Sequence, residues 1–120
     1  MKLYAYSNLH FFLMPAQIAA AAAGVKPEFV QTTEEMNQDK DFKQKKGHGQ
    51  YPMLETTDGQ VLFESVAIAS YFCRVGNNKS LLGVGAFQEA QVDQWTSFAT
   101  ASLEGDMRKI AMTCWGMKED

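Results

Sequence analysis

An Asp-Gly pair between two short apolar runs is the feature that most restricts how this chain can fold. Met53-Leu54-Glu55-Thr56 and Val61-Leu62-Phe63 flank Thr57-Asp58-Gly59-Gln60. Glycine takes the positive φ that a tight reversal needs, so the two runs are expected to pair as a β-hairpin. Immediately beyond it, Ser65 stands where a helix N-cap belongs. Val66, Ile68, Ala69, Phe72 and Cys73 follow at helical spacing.

The residues upstream supply partners for that hairpin. Residues 3–6 form an apolar and aromatic run ending at Ser7-Asn8, read as a first strand. Residues 13–23 are rich in alanine and closed by Gly24, the pattern of a helix with glycine after its C-terminus. Pro15 fits that helix in its first turn, where a missing N–H does no harm. Residues 25–32 carry Phe29 and Val30 and read as a second strand, with Pro27 at its beginning or on an edge. Residues 38–46 are charged and weakly periodic, and read as a short, mobile helix or a loop. The order is strand, helix, strand, helix, hairpin, helix. A right-handed βαβ crossover makes two parallel strands and the hairpin adds two antiparallel ones. The predicted fold class is α/β with a mixed four-stranded sheet, thioredoxin-like.

Downstream, residues 76–80 read Gly-Asn-Asn-Lys-Ser, a linker by composition. Residues 87–103 form a long helical pattern with Val92, Trp95, Ala99 and Leu103 along one face. Residues 108–117 read as one more short helix, with Ile110, Ala111, Cys114 and Trp115 as its apolar side. The expected organisation is a thioredoxin-like domain over 1–76, a linker over 77–85, and the start of an all-helical domain over 86–120.

Charge and cysteine content narrow the function classes. Eleven basic and fourteen acidic side chains in 120 residues leave a net charge of −3. Both halves are acidic in balance, which argues against a nucleic-acid footprint. Lys40, Lys43, Lys45, Lys46 and His48 form a local basic run, partly balanced by Asp39 and Asp41 and read as a solvated face. No run reaches the roughly eighteen apolar residues of a membrane span. The apolar start is interrupted at Tyr4, Tyr6, Ser7, Asn8 and His10, and again at Pro15 and Gln17, unlike a secretory signal. Two cysteines, Cys73 and Cys114, make neither a disulfide framework nor a four-ligand zinc pattern. Reduced thiols in a cytoplasmic protein without a metal are the expectation. The seven methionines are scattered and read as filling the core, and Trp95 and Phe98 as core or interface residues.

In a thioredoxin-like fold, the turn after the first strand is where redox enzymes keep two cysteines. Here it reads Ser7-Asn8-Leu9-His10-Phe11-Phe12, and without a thiolate it cannot perform thiol–disulfide exchange. Tyr51-Pro52 before the hairpin and Phe63-Glu64-Ser65-Val66-Ala67-Ile68 after it resemble the N-terminal domain of the glutathione transferases. Together with Gly49-Gln50-Tyr51-Pro52-Met53-Leu54 and Ala90-Gln91-Val92-Asp93-Gln94-Trp95-Thr96-Ser97-Phe98-Ala99, they resemble the transferase-like domain of the elongation factor 1 gamma family. The resemblance covers residues 2–105 and is strongest after Gly49.

The resemblance implies a glutathione site. A cis Tyr51-Pro52 bond would turn the Tyr51 backbone N–H and C=O outward to pair with the cysteinyl part of the peptide. Ser65 would receive the γ-glutamyl carboxylate at a helix start, and Glu64 would meet the ammonium. Gln50 stands where many relatives have a lysine near the peptide. Tyr6, or Ser7 beside it, would donate to the glutathione sulfur and lower its pKa. The plainer alternatives are a helix cap at Ser65, a turn at Pro52, and a core aromatic at Tyr6.

Two functions follow from the resemblance. One is an interaction domain bound to other elongation factor 1 complex subunits, as a homo-dimer or hetero-oligomer. The other is a glutathione transferase acting on small electrophiles. Family members continue through a full helical domain, so a fragment, a truncated gene model and a minimal relative all stay open.

Overall fold

The computed structural model describes residues 1–8, 11–47, 50–114 and 116. The expectations placed on Leu9, His10, His48, Gly49, Trp115 and Met117 lie outside the described residues. The chain divides into two compact units, 1–81 and 82–120.

The first unit is built on four strands: β1 (Lys2–Ala5), β2 (Glu28–Gln31), β3 (Met53–Glu55) and β4 (Val61–Phe63), in the order β2-β1-β3-β4. β1 and β2 are parallel, while β3 is antiparallel to both β1 and β4. The helix α1 (Met14–Ala23) makes the crossover between β1 and β2, following a 3-10 turn at Phe11–Leu13. Gly24 ends α1 at φ 71°, and Val25 N–H returns to the Ala20 carbonyl at 2.8 Å. That left-handed closure is the role the sequence assigns to this glycine. After β4, α4 (Ser65–Val75) packs back against α1. Gly76 lies so close to the Ala23 carbonyl that a side chain there would collide with it.

Strand alternation divides the core between the two sheet faces. Leu3, Ala5 and Leu54 pack with Leu13, Ala16 and Ala20 and with Ile68 and Phe72 of α4. Tyr4, Tyr51 and Met53 occupy the opposite cluster with Val30, Met36, Phe42 and Val61.

Four details correct the sequence reading. The 38–46 stretch takes the short-helix alternative and not the loop, but as two capped helices, the end of α2 (Glu34–Gln38) and the whole of α3 (Lys40–Lys46). Thr33 Oγ1 accepts from Met36 N–H, and Asp39 Oδ1 accepts from Phe42 N–H at 2.7 Å. These caps stabilise segments too short to hold by propensity. The second strand is shorter than 25–32, starting only after Pro27. Ser65 is the first helical residue of α4, and Glu64 takes the cap position. The two downstream helical patterns are one run: α5 (Ala86–Phe98), a π-helical segment (Ala99–Leu103) and α6 (Glu104–Cys114). Thr100 Oγ1 donates back to the Thr96 and Ser97 carbonyls, a bond that accommodates the wider turn.

The methionines also divide. Met53 is fully buried, whereas Met14 and Met107 are exposed. Trp95 and Phe98 are exposed on α5 with their rings edge to face at 5.9 Å.

Candidate functional site at the open end of the sheet

Strand register brings the three suspected segments to one end of the sheet. Tyr4 pairs with Met53 across β1 and β3, and Met53 pairs with Phe63 across β3 and β4. Continuing each strand past these pairs puts Tyr6-Ser7, Tyr51-Pro52 and Glu64-Ser65 side by side. The three are separated by forty or more residues of chain at the widest and meet only because of the antiparallel pairings.

The Tyr51-Pro52 peptide bond is cis, as the resemblance implies. Tyr51 and Pro52 are both buried, while the preceding Gln50 is exposed. Glu64 has φ 70° and ψ 117°, and among the described residues it is the non-glycine residue with a positive φ. Such a conformation costs about 1–3 kcal/mol and collects at functional sites. It delivers Ser65, buried, to the first turn of α4, where backbone N–H groups lack intrahelical acceptors. Glu64 itself faces solvent.

Tyr6 follows directly on β1 and is 52% exposed, so it is not the core aromatic that the plainer reading allowed. Its ring meets that of Tyr51 edge to face, with centroids 4.7 Å apart. Ser7 beside it is half-buried. Asn8, next in the chain, is tied to α1 by Gln17, whose side-chain amide donates to the Asn8 carbonyl at 3.0 Å.

Behind this edge, α2 and α3 contribute polar groups that the sequence reading missed. The Tyr51 hydroxyl donates to Asn37 Oδ1 at 2.6 Å. Lys46 Nζ donates to the same oxygen at 3.3 Å and lies 4.0 Å from the Tyr51 ring centroid. Lys46 is only 9% exposed, which overturns its assignment to a solvated basic face. Four residues after Phe42 on α3, it shares the inward side of that helix, a spacing visible in the sequence. Burial holds the Lys46 ammonium below its ordinary pKa and pushes the Tyr51 phenol above its own. The buried Thr32 hydroxyl lies close enough to the phenol to pull the other way, although it falls short of hydrogen-bond geometry.

A second polar group on this face is structural. The Tyr4 hydroxyl donates to Glu55 Oε2 at 2.7 Å, and Lys45 Nζ bridges to Glu55 Oε1 at 2.6 Å. Burial, and then the Glu55 carboxylate, push Tyr4 up to about 12. The Lys45 and Tyr4 hydrogen bonds hold Glu55 below the usual carboxylate range.

Cys73 is a buried free thiol and Cys114 an exposed one. Among the described residues no cluster of histidine, cysteine and carboxylate side chains is arranged to hold a metal ion. No helix there is long and apolar enough to cross a membrane.

Comparison with known proteins agrees with this geometry. The family model of the glutathione S-transferase N-terminal domain matches residues 1–74. Elongation factor 1-gamma 3 of Oryza sativa is 35% identical over 94 residues, covering 77% of this chain and 22% of that protein. Elongation factor 1-gamma of Artemia salina is 34% identical over 104 residues, covering 85% and 23%. A structure of glutathione S-transferase-I bound with lactoylglutathione superposes with a TM-score of 0.81 at 26% identity, over 99% of this chain and 59% of that one. The chain thus spans about a quarter or less of these gamma-subunit relatives. The family-model match over its first unit, joined to the mixed sheet and the cis-proline edge, makes this chain a member of the glutathione S-transferase N-terminal-domain family, with a thioredoxin-like fold.

Proposed function

We propose that the chain is a transferase-like interaction domain of the elongation factor 1 complex, gamma-subunit-like, that keeps a glutathione-binding edge. The gamma-subunit relatives support the first half of this reading. The observation that carries the second half is the convergence of Tyr51-Pro52, Glu64-Ser65 and Tyr6 at one sheet end. There, the Tyr51 backbone would pair with the cysteinyl unit of glutathione as an added strand does. Ser65 and the first-turn N–H groups of α4 would take the γ-glutamyl carboxylate, and Glu64 the ammonium. Gln50, exposed beside the edge, would contact the rest of the peptide. The domain would act in the cytoplasm, through a homo-dimer or through other subunits of the complex.

The exposure of Tyr6 favours a second reading, glutathione transfer to small electrophiles. A phenol donating to the glutathione sulfur stabilises the thiolate that attacks the electrophile, with Ser7 the adjacent candidate for that donation. The test is calorimetric titration of the full chain with reduced glutathione, beside Ser65→Ala. Saturable binding, weakened about tenfold by loss of the hydroxyl, is expected. Absence of heat at millimolar glutathione would remove the peptide site and leave the interaction reading alone. Conjugating activity that falls in Tyr6→Phe while glutathione affinity holds would favour the enzyme.

A further inference from the structure

None of the contacts proposed for glutathione uses Asn37 or Lys46, yet the two grip the residue at the centre of the edge. A lysine so deeply buried is uncommon unless its charge is matched. Here the Tyr51 ring face and Asn37 Oδ1 take the place of water around the ammonium. The same Asn37 oxygen receives the Tyr51 hydroxyl, so the side chain is held at its ring and at its tip. Tyr6 then rests against that fixed ring.

From this chain of contacts we infer that Lys46 and Asn37 are positioning residues. They fix the Tyr51 side chain, and through it both the Tyr51-Pro52 backbone edge and the orientation of Tyr6. The functional consequence rests on the glutathione-binding reading, while the ring geometry stands without it. Lys46 and Asn37 belong to α3 and α2, whereas Tyr6 and Tyr51 flank β1 and β3. Movement of the helical layer would therefore be felt at the sheet edge.

The experiment labels the full chain with fluorotyrosine and compares parent, Lys46→Met and Lys45→Met. Methionine keeps the apolar stem and removes the ammonium, and Lys45, which holds Glu55 instead, is the control. In Lys46→Met the fluorine resonances of Tyr51 and Tyr6 should shift together while that of Tyr71 stays. Glutathione should bind about tenfold more weakly, with melting within about 5 °C of the parent. Unmoved Tyr51 and Tyr6 resonances, or equal shifts in Lys45→Met, would overturn the inference. So would unchanged affinity in Lys46→Met when the parent binds. If the parent binds no glutathione, the peptide-binding reading fails and the Tyr6 resonance alone decides the positioning role. Should Lys46→Met not fold, the same spectra of Asn37→Leu and Asn37→Asp decide it. The aspartate, which keeps an acceptor, should restore the parent pattern that leucine loses.

Discussion

Residues 1–81 and 82–120 solve the problem of apolar surface in opposite ways. The first unit closes two clusters of its own on the faces of one sheet, with Leu3, Leu13, Met53, Leu54, Ile68 and Phe72 fully buried. Among the described residues, the helices of the second unit bury none. Phe87 is 76% exposed and Ile110 61%, and Val84, Trp95, Leu103 and Met107 are exposed with them. A sheet can satisfy its apolar residues against neighbours brought by its own crossovers, while an apolar stripe on a helical run needs another surface to cover it. Folding stability should therefore belong to the first unit, and the second should show its value only against another surface.

Core and surface substitutions should separate most widely. Phe72→Ala empties a site sealed between α1, α4 and the sheet, and should cost about 3–5 kcal/mol in urea denaturation. Phe87→Ser and Ile110→Ser should change the same midpoint by no more than about 0.5 kcal/mol. Losses equal to that of Phe72→Ala would break the contrast and show that the helical stripe is covered in solution.

What the sequence disclosed follows the same division. The hairpin was readable because Asp58-Gly59 sits between two short apolar runs, and α1 because Gly24 and an alanine face mark its end and its buried side. The Tyr51-Pro52 and Glu64-Ser65 motifs were readable as pairs, but their meeting with Tyr6 depends on strand register, which no local pattern states. Asn37 and Lys46 stayed hidden because a lysine among lysines looks solvated. Only the i, i+4 relation to Phe42 hints that Lys46 turns inward. The caps at Thr33 and Asp39 were present in the sequence and outweighed the weak periodicity around them. The joining of the downstream helices was obscured by Glu104-Gly105-Asp106, a polar stretch with a weak helix former that interrupts the apolar pattern between Leu103 and Arg108.

Alkaline pH should sharpen the contrast next, because Tyr4 belongs to the first unit. Its folded-state pKa of about 12 lies above the unfolded phenol value near 10. Stability from this group is therefore fully present below about pH 10 and is lost as pH rises toward 12, by an order of 2–3 kcal/mol. Tyr4→Phe should flatten that part of the pH profile, measured as the urea midpoint in steps from neutrality upward. An identical alkaline fall in the variant would assign it to other groups.

The smallest effect is expected at the acid end, where Glu55 carries the opposite sign. Its folded-state pKa is lowered, first by Lys45 and then by Tyr4. Its contribution is present above the unfolded carboxylate value of about 4.3 and disappears as pH falls through the folded one. Lys45 is 41% exposed at its side chain, so solvent screens the bridge and Lys45→Met should cost less than about 1 kcal/mol at neutral pH. The difference from the parent should shrink toward zero near about pH 2, where the carboxylate is protonated with or without its partner. A difference that stays constant down to that pH would mean that Lys45 supports α3 through its packed stem and not through its charge. Tyr4 would then be the group that fixes Glu55 at the sheet.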